Sequence, residues 1–416
     1  MDHTIRFITS NFDRYDVSSI DSYQSIGGFQ ALEQASAMDS DTIIQIIAEA
    51  KIKGRGGAAY DMGRKWSQAR AVSGSHKVII CNADEGEPGT FKDRTLIAQD
   101  PFNLIEAMII AGYTIGAQDG YIYLREEYRH LRPILLHAIQ QSEEHGFLGT
   151  DILHRGFSFH IHLYSGAGAY VCGEGTALIR SLEGKAGRPR MKPPFIKQSG
   201  LFALPTCVNN VESLSIIPHL LRDKLHRYLH YGTADSIGTK LISVSGNVNR
   251  PGVFEIPFGI TIRQIIYDLA GGIQNHNAIR LIQFGGASGK VASPSILDVP
   301  YTYDALEKAG VSVGSGALLV VDVRTTVLEF LRMTQEFFSH ESCGQCTPCR
   351  EGNLHIRLIL DKLATGTATG EDIQQMKKIA DIMRISSLCG LGETAQSALL
   401  SAMQVFPQIF GVGGVQ

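Results

Sequence analysis

The stretch Glu341-Ser-Cys-Gly-Gln-Cys-Thr-Pro-Cys-Arg-Glu-Gly352 contains Cys343, Cys346 and Cys349, and a fourth cysteine, Cys389, follows further along the chain. A Cys-x-x-Cys-x-x-Cys group with one distant cysteine has the ligand spacing of a [4Fe–4S] cluster. Zinc also binds four thiolates, but its sites more often contain two separated Cys-x-x-Cys pairs. The spacing therefore predicts a [4Fe–4S] cluster and electron transfer, with a zinc site and unliganded buried thiols as the alternatives.

The other cysteines, Cys81, Cys172 and Cys207, follow no spacing rule and are expected to be small buried hydrophobic residues. Seven cysteines without a framework pattern argue against a secreted, disulfide-bonded fold. A cluster also requires reduced thiols. We therefore expect the chain in a reducing compartment, the cytoplasm.

The composition argues against two classes of function. The chain has 416 residues, of which 44% are hydrophobic and 19% charged, and its net charge is −3. The chain lacks the excess of basic residues that is typical of nucleic-acid-binding proteins, so no nucleic-acid partner is expected. No stretch reaches about 18 consecutive apolar residues, so direct membrane insertion is not expected either. A chain of this length predicts two or three domains.

The first part of the chain, residues 1–235, alternates between short apolar strands and helices after an irregular, polar stretch at 1–40. Such alternation is typical of an α/β domain with a largely parallel sheet. The predicted strands are 76–82, 120–124 and 157–163, and the predicted helices are 41–53 (capped by Asp41), 101–116, 129–145 and 176–182.

Two further parts follow. Residues 236–325 predict a small α+β domain, with strands at 239–246, 253–257, 280–284 and 317–323 and a helix at 261–269. Residues 326–416 have a helical pattern, with predicted helices at 327–338, 354–363 and 393–405. The four clustered cysteines lie in this last part.

Several loops of the first part are candidates for one ligand site. The glycine-rich loop Gly54–Gly57 precedes Lys65, the acidic loop Asp84–Glu87 follows a buried strand, and Gly166–Gly175 leads into a helix beside Glu174. Because ligands bind outside the carboxyl ends of parallel strands, these loops are expected to converge, and the helix start beside Glu174 favours an anion. The G-x-G-x-x-G dinucleotide fingerprint is absent, so this physical argument leaves the cofactor open.

Together these segments resemble a known family: the NADH-binding flavoprotein subunit of respiratory complex I and the related diaphorase subunits of NAD-linked formate dehydrogenases and hydrogenases. The similar segments keep the family's order over nearly the whole chain: Gly54–Trp66, Cys81–Arg94, Gly166–Leu182, Arg190–Phe195, Thr206–Glu212, Glu341–Gly352 and Ser387–Cys389. The resemblance implies a Rossmann-like α/β domain for FMN and nucleotide, then a β-grasp (soluble-ligand-binding) domain, and a C-terminal helical bundle carrying the cluster.

The resemblance also implies roles for individual residues. The FMN set would be Gly54, Arg55, Gly56, Gly57, Lys65, Asn82, Asp84, Glu85, Tyr170, Gly173, Glu174, Val208, Asn209 and Asn210. The nicotinamide-nucleotide set would be Tyr60, Glu87, Gly175, Lys192 and Phe195, with Tyr60 where the family usually has Phe. The metal set would be Cys343, Cys346, Cys349 and Cys389.

The implied reaction is hydride transfer from NADH or NADPH to FMN, followed by one-electron transfer through the cluster to a partner subunit. No side chain is needed as a general base. The implied partners are a small thioredoxin-like [2Fe–2S] subunit and a further iron–sulfur subunit of a larger complex, through which the chain would lie at the inner face of a membrane. One alternative is a formate dehydrogenase or hydrogenase subunit that works towards NAD⁺ reduction. An alternative of another class is a non-catalytic iron–sulfur scaffold.

One departure from the family concerns the choice of nucleotide. The usual Gly-Glu-Glu-Thr is here Gly173-Glu174-Gly175-Thr176. A carboxylate at the missing position is expected to accept the 2′-hydroxyl of NADH and repel the 2′-phosphate of NADPH. We therefore hypothesise that this chain accepts NADPH better than its relatives do, with Lys185, Arg188 and Arg190 as candidate phosphate partners.

Overall fold

The computed structural model describes residues 5–74 and 76–411, except for the side chains of residues 223 and 224. These residues form a mixed α/β structure with two β-sheets and a helical carboxyl-terminal part, which confirms the α/β class. Within the described ranges, none of the helices combines the length and the apolar character that crossing a bilayer requires.

The first sheet is built from four parallel strands: β1 (Val78–Ala83), β2 (Asp119–Leu124), β3 (His160–Ser165) and β4 (Thr206–Asn210). Their order is β3-β2-β1-β4, so the chain runs outward from β1 to β3 and then returns to the other side of β1. This reversal creates a crevice at the carboxyl ends of β1 and β4, where open α/β sheets bind ligands.

In the part of the chain that the structure describes, the α-helices that accompany this sheet are α1 (Ile20–Ser25), α2 (Gln30–Ser36), α3 (Ser40–Glu49), α4 (Met62–Ala71), α5 (Lys92–Gln99), α6 (Pro101–Ile115), α7 (Arg132–Glu144), α8 (Gly175–Leu182), α9 (Val211–His219) and α10 (Leu225–Leu229). Helix α6 is almost entirely buried, starts with a proline and ends at Gly116, whose φ of 78° is easy for glycine. The 101–116 prediction is confirmed to within one residue. The predicted helix 129–145 is shorter, because residues 126–131 form a 3₁₀ helix.

Two predictions for the amino-terminal part are wrong. The stretch 1–40 is not irregular where it is described: it contains α1 and α2, and it buries Phe7 and Ile8. The side chain of Glu255 accepts hydrogen bonds from the amides of residues 7–9 at 2.8–3.0 Å, a long-range contact that no local pattern indicates. The next helix is capped by Asp39 rather than Asp41 and ends at Glu49.

The second sheet has five strands: β5 (Thr239–Gly246), β6 (Gly252–Pro257), β7 (Ile279–Phe284), β8 (Val291–Ala292) and β9 (Ala317–Asp322). The order is β6-β5-β9-β7-β8, with β5 and β9 parallel and the other pairs antiparallel. The four predicted strands are confirmed. The segment predicted as a helix at 261–269 is mainly a π-helix over Gln264–Leu269, and helix α11 (Tyr303–Lys308) follows.

The carboxyl-terminal part consists of α12 (Val327–Glu341), α13 (Thr347–Ala364), α14 (Gly370–Ser386), α15 (Gly390–Thr394) and α16 (Ser397–Val405). Helix α13 begins inside the cysteine run rather than at 354, because Pro348 is favourable in a first helical turn. One hydrophobic core contains buried residues of both these helices and the first sheet, such as Phe338 and Ile80. The cysteine-bearing loops are therefore packed against the same unit as the strand ends.

Candidate functional site

The centre of the candidate site is the end of β1. The Asn82 side chain donates to the carbonyl of Gly173 and accepts from the amide of Asp84, both at 3.0 Å. The Oδ2 atom of Asp84 is shielded from solvent and has no hydrogen-bond partner among the described residues. Burial raises the Asp84 pKa to about 7, although Arg125 opposes the shift. A shielded acceptor without a partner at this crevice fits a ligand that brings hydroxyl groups, such as the ribityl chain of FMN.

The neighbouring Glu85 has a different environment. Its carboxylate accepts from the amides of Asp93 at 2.9 Å and Arg94 at 3.2 Å, and from the Tyr128 hydroxyl at 3.1 Å. Burial, and next the proximity of Asp93, raises the Glu85 pKa to about 7. The Glu85 side chain therefore bonds to the first turn of α5 and stabilises the acidic loop.

The glycine-rich loop Gly54–Gly57 lies beside β4. A Cβ atom on Gly56 would lie 3.3 Å from the Cβ of Asn210, and Gly57 has a φ of 111°, which side chains rarely adopt. The amide of Gly54 donates to the carbonyl of Tyr60 at 2.8 Å, which closes the loop. The loop thus brings bare backbone to the crevice, as the flat ring or phosphate of a cofactor requires.

The side chain of Arg55 points away from this loop. Its guanidinium is buried and donates to the Tyr303 hydroxyl at 3.2 Å, the Tyr228 hydroxyl at 3.1 Å and the carbonyl of Thr239 at 3.0 Å. Arg55 therefore joins the glycine loop to the second part of the chain. Both terminal nitrogens of the guanidinium are committed to these bonds, and the Arg55 amide donates to the Ser213 hydroxyl at 2.9 Å, so Arg55 holds the loop in place.

Lys65, on α4, contacts β4. Its Nζ donates to the carbonyl of Val208, and burial lowers its pKa. Asn209 accepts from the Trp66 indole at 3.2 Å and is buried beneath α4. Asn210 donates to Asp93 at 2.6 Å and caps α9 through the amide of Glu212 at 3.1 Å. Both asparagine side chains thus bond to neighbouring helices, and Lys65 bonds to the backbone of β4.

The loop before α8 contributes three of the predicted residues. The Tyr170 hydroxyl donates to Glu87 at 2.6 Å. Glu174 caps α8 by accepting from the amides of Thr176 and Ala177, and pairs with Lys192 at 3.0 Å. Burial alone would raise the Glu174 pKa, but the bonds from Thr176 and Lys192 outweigh it and lower the pKa. The anion expected at this helix start is therefore the protein's own carboxylate.

The outer rim of the site carries exposed aromatic rings. Tyr60 is 44% exposed and Phe195 is 50% exposed, which is unusual for side chains of this size. The Tyr60 hydroxyl donates to Gln68 at 3.1 Å, and Lys197 donates to the same oxygen at 2.8 Å. Two exposed rings fit the stacking demands of a dinucleotide.

The four clustered cysteines line one cavity. Cys343 and Cys346 come from the α12–α13 connection, Cys349 from the first turn of α13, and Cys389 from the loop before α15. Cys349 is hydrogen-bonded to Ser342 at 3.2 Å and to Asn353 at 3.3 Å, while the amides of Leu391 and Gly392 bond to Cys389. Such donors stabilise the sulfur atoms of iron–sulfur clusters.

Val171 and Pro189 of the first part also line this cavity. Across the described residues, no three His, Cys, Asp or Glu side chains are arranged to hold a single metal ion; the thiols instead surround a space. The other cysteines, Cys81, Cys172 and Cys207, are buried as predicted.

Sequence reasoning missed two residues that hold the acidic loop. Ser288 donates to Glu87 from the turn Gly285–Gly289, and Arg125 donates to the carbonyl of Glu85 from the end of β2. The position of Arg125 directly after a predicted strand could have indicated it. Ser288 had no such signal, because only folding brings its turn to the first sheet.

The chain matches known protein families. Three protein-family descriptions match: the Nuo51 FMN-binding domain over residues 47–219, the SLBB domain over residues 241–295 and the iron–sulfur binding region of NADH-ubiquinone oxidoreductase-F over residues 329–412. The fold and the sites therefore define an oxidoreductase subunit with an FMN-binding and a [4Fe–4S]-binding domain.

Full-length relatives identify the family. The chain is 39% identical over 397 residues to the second NADH-quinone oxidoreductase F subunit of Rhizobium meliloti, covering 95% of this chain and 94% of that one. It is 41% identical over 405 residues to the corresponding F subunit of Aquifex aeolicus, covering 97% and 93%. The chain belongs to the family of NADH-quinone oxidoreductase F subunits, as the resemblance predicted.

Two hydrogenase proteins are also similar to this chain. The chain is 39% identical over 402 residues to the NADP-reducing hydrogenase subunit HndC of Solidesulfovibrio fructosivorans, covering 97% of this chain and 82% of that one. Among solved structures, an NAD⁺-reducing [NiFe]-hydrogenase in the H₂-reduced state matches with a TM-score of 0.86 and 34% identity, covering 98% of this chain and 66% of that chain.

Proposed function

We propose that this chain is the subunit that oxidises NADH or NADPH and delivers single electrons to a partner subunit. The observation that carries the proposal is the Gly166–Gly175 loop. Its Tyr170 bonds to Glu87 at the strand ends, and the next residue, Val171, lines the four-thiol cavity. One short loop therefore belongs both to the proposed dinucleotide and flavin site and to the proposed cluster site. This proximity suits electron transfer between the two sites.

The residues at the strand ends suit FMN. We assign the ribityl hydroxyls to Asp84, whose shielded oxygen has no described partner, and the ring and phosphate to the bare backbone of residues 54–57 with Lys65. When bound, FMN accepts two electrons from a nicotinamide and gives them up one at a time, which no side chain does. The protein's task is to orient the two rings and to exclude water.

The rim residues suit the dinucleotide. We assign its rings to Tyr60 and Phe195, its phosphates to Lys192, and the discrimination between NADH and NADPH to position 175. Glu87 is held at the inner end of this rim by Tyr170. The four cysteines are assigned to the [4Fe–4S] cluster, because the cavity offers four thiols with hydrogen-bond donors behind two of them.

The larger assembly is part of the proposal. We propose that residues 1–235, 236–325 and 326–416 form the Rossmann-like, β-grasp and helical-bundle domains, and that the chain works in the cytoplasm. The relatives are named as subunits, so we propose that a thioredoxin-like [2Fe–2S] subunit and a further iron–sulfur subunit bind it, at the inner face of a membrane. Similarity to an NADP-reducing hydrogenase subunit favours one second candidate, a subunit that works towards NAD(P)⁺ reduction.

The testing experiment is an anaerobic titration of the purified, FMN-loaded protein with NADH and then NADPH, following flavin absorbance. Bleaching by NADH is expected, because the rim and the acidic loop remain in place in the isolated chain. Bleaching by neither nucleotide, with FMN demonstrably bound, would overturn the proposal and favour the non-catalytic scaffold.

A further inference from the structure

Glu87 is held by a segment of the second sheet that carries no predicted function. The turn Gly285-Gly-Ala-Ser-Gly289 connects β7 to β8 and reaches the acidic loop after β1. The Ser288 amide donates to Glu87 Oε1 at 2.8 Å, and the Ser288 hydroxyl donates to Oε2 at 3.0 Å. One residue of the turn thus contacts both oxygens of this carboxylate.

The turn is shaped for this contact. Gly286 has a φ of 93°, and a Cβ atom there would lie 2.2 Å from the Cγ of Glu87. A side chain at this position would displace Glu87, so glycine is required for steric as well as conformational reasons. Ser315 also connects this turn to the acidic loop. Its hydroxyl donates to the carbonyl of Gly285 and lies 2.7 Å from the Thr90 hydroxyl.

We propose that Ser288 is a positioning residue of the dinucleotide site, which holds the Glu87 carboxylate in the orientation and charge state that a donor group of NADH or NADPH requires. This inference rests on the proposed function, since it deepens the role assigned to Glu87. It makes the second sheet a direct contributor to nucleotide binding. Ser288 of this turn is thus a site residue that comes from outside the loops of the first part.

The charge state follows from the surroundings of Glu87. Burial raises the Glu87 pKa, and the bonds from Tyr170 and Ser288 act in the opposite direction. Tyr170 is the titratable group that faces this carboxylate, and burial together with Glu87 keeps its pKa well above the usual value. Among the residues that the structure describes, no salt bridge reaches Glu87. Removing the Ser288 hydroxyl therefore shifts the Glu87 pKa further upward, and the carboxylate is protonated at a higher pH.

The test compares Ser288→Ala with the wild type as FMN-loaded full-length chains, using NADH with ferricyanide as the electron acceptor. Loss of one hydrogen bond to a charged acceptor is expected to raise KM for NADH by about ten-fold, with kcat less affected. The acidic limb of the kcat/KM profile is expected to move to higher pH. The FMN dissociation constant is expected to be unchanged, because Ser288 contacts Glu87 rather than the residues assigned to FMN.

Two further variants control the result. Ser288→Thr keeps the hydroxyl and is expected to restore both KM and the pH profile. Ser295→Ala removes an exposed hydroxyl beyond β8, whose partner is Ser293, and is expected to behave as wild type. A Ser288→Ala protein with wild-type KM and pH profile would overturn this inference alone. Loss of FMN affinity in parallel with NADH affinity would also overturn it, by showing a general structural role.

A third outcome separates this inference from the proposed function. A wild-type chain that binds FMN but neither oxidises NADH nor binds NAD⁺ would overturn both. The wild-type measurement therefore decides the proposed function, and the comparison of the variants with the wild type decides the role of Ser288.

Discussion

At the scale of single residues, Asp84 and Glu85 are neighbouring carboxylates whose surroundings give them different roles. Both carboxylates follow β1, and burial raises the pKa of each to about 7. Glu85 accepts three hydrogen bonds from α5 and Tyr128, whereas one oxygen of Asp84 has no described partner. Glu85 therefore stabilises the loop, and Asp84 is the carboxylate that remains for a ligand.

Asp84→Asn is expected to weaken FMN binding and to abolish its pH dependence. In the wild type, FMN affinity should rise between pH 6 and pH 8, because ionisation of Asp84 at about pH 7 creates the acceptor for a ligand hydroxyl. A folded-state pKa above the unfolded value also means that Asp84 reduces stability as the pH rises through 7. The variant should thus melt at a higher temperature than wild type in its apo form at pH 8.

Flavin fluorescence quenching across the pH range measures the affinity, and thermal melting measures the stability. Asp235→Asn, at an exposed position, is the control and should change neither. Equal pH dependence in the wild type and Asp84→Asn would contradict the assignment of Asp84.

Gly175→Glu is expected to raise the preference for NADH over NADPH by about ten-fold in the ratio of kcat/KM values, since a carboxylate there accepts the 2′-hydroxyl and repels a 2′-phosphate. The added Cβ would lie 2.8 Å from Ile196 Cδ1, the end of a flexible side chain that can move. Gly175→Ala adds the same Cβ atom without the carboxylate and should leave the ratio near the wild-type value. An unchanged ratio in both variants would refute the hypothesis.

At the scale of elements, a buried ion network joins the first sheet's helices to β5. The Glu212 carboxylate, on α9, accepts from Lys240 of β5 at 2.7 Å and lies 3.0 Å from Lys92 of α5. All three side chains are essentially buried. Lys92 also reaches Asn210 at 3.3 Å, so the network lies directly behind the strand end that borders the crevice.

Glu212→Gln is expected to lower the free energy of unfolding by about 3–5 kcal/mol, because it leaves the buried Lys240 ammonium without its counter-ion, whereas Lys92 keeps Asp93 at 2.6 Å. Burial alone would raise the Glu212 pKa, but Lys240 and Lys92 outweigh it and lower the pKa to about 2. The contribution of Glu212 is therefore fully present above about pH 4.5 and is lost as the pH falls towards 2.

Urea unfolding of Glu212→Gln and wild type at pH 7 and pH 3 tests this. The difference between the two proteins should shrink at pH 3. Glu49→Gln, which changes an exposed carboxylate on α3, should cost little at either pH. A difference that does not depend on pH would argue against an ionised Glu212.

At the scale of the whole molecule, the two sites are adjacent because one core joins the parallel sheet to the carboxyl-terminal helices. The Tyr170 ring makes an edge contact with Phe337 of α12 at 5.1 Å, and its amide donates to Glu341 at 3.0 Å. Glu341 lies two residues before Cys343. The loop before α8 and the cysteine-bearing helices are therefore packed directly against each other, as the proposed electron transfer between the sites requires.

Cys389→Ala is expected to remove the cluster, seen as loss of its iron and of its electron paramagnetic resonance signal, and to stop electron delivery to a partner subunit. Cys81→Ala changes a buried thiol of β1 outside the cavity and should retain the iron. Full iron content and full electron delivery in Cys389→Ala would show that this thiol is not a ligand.

Local sequence patterns alone predicted the cluster and the fold class of this protein. The spacing of the four cysteines predicted a cluster, and the alternation of strands and helices predicted the α/β class, because both depend on short-range periodicity. The convergence of the glycine, acidic and Gly166–Gly175 loops followed from the rule that parallel strands end on one edge of a sheet. The resemblance to a family supplied the identity of the cofactors.

Tertiary structure alone decided which side chains face the crevice. Arg55 belongs to the glycine loop but turns to Tyr228 and Tyr303, and Glu85 turns to α5, because each finds buried partners there. Glu255 and Ser288 reach across from the second sheet to segments far away in sequence. Such contacts depend on how distant elements pack, and no local periodicity encodes the direction in which a polar side chain finds its partner.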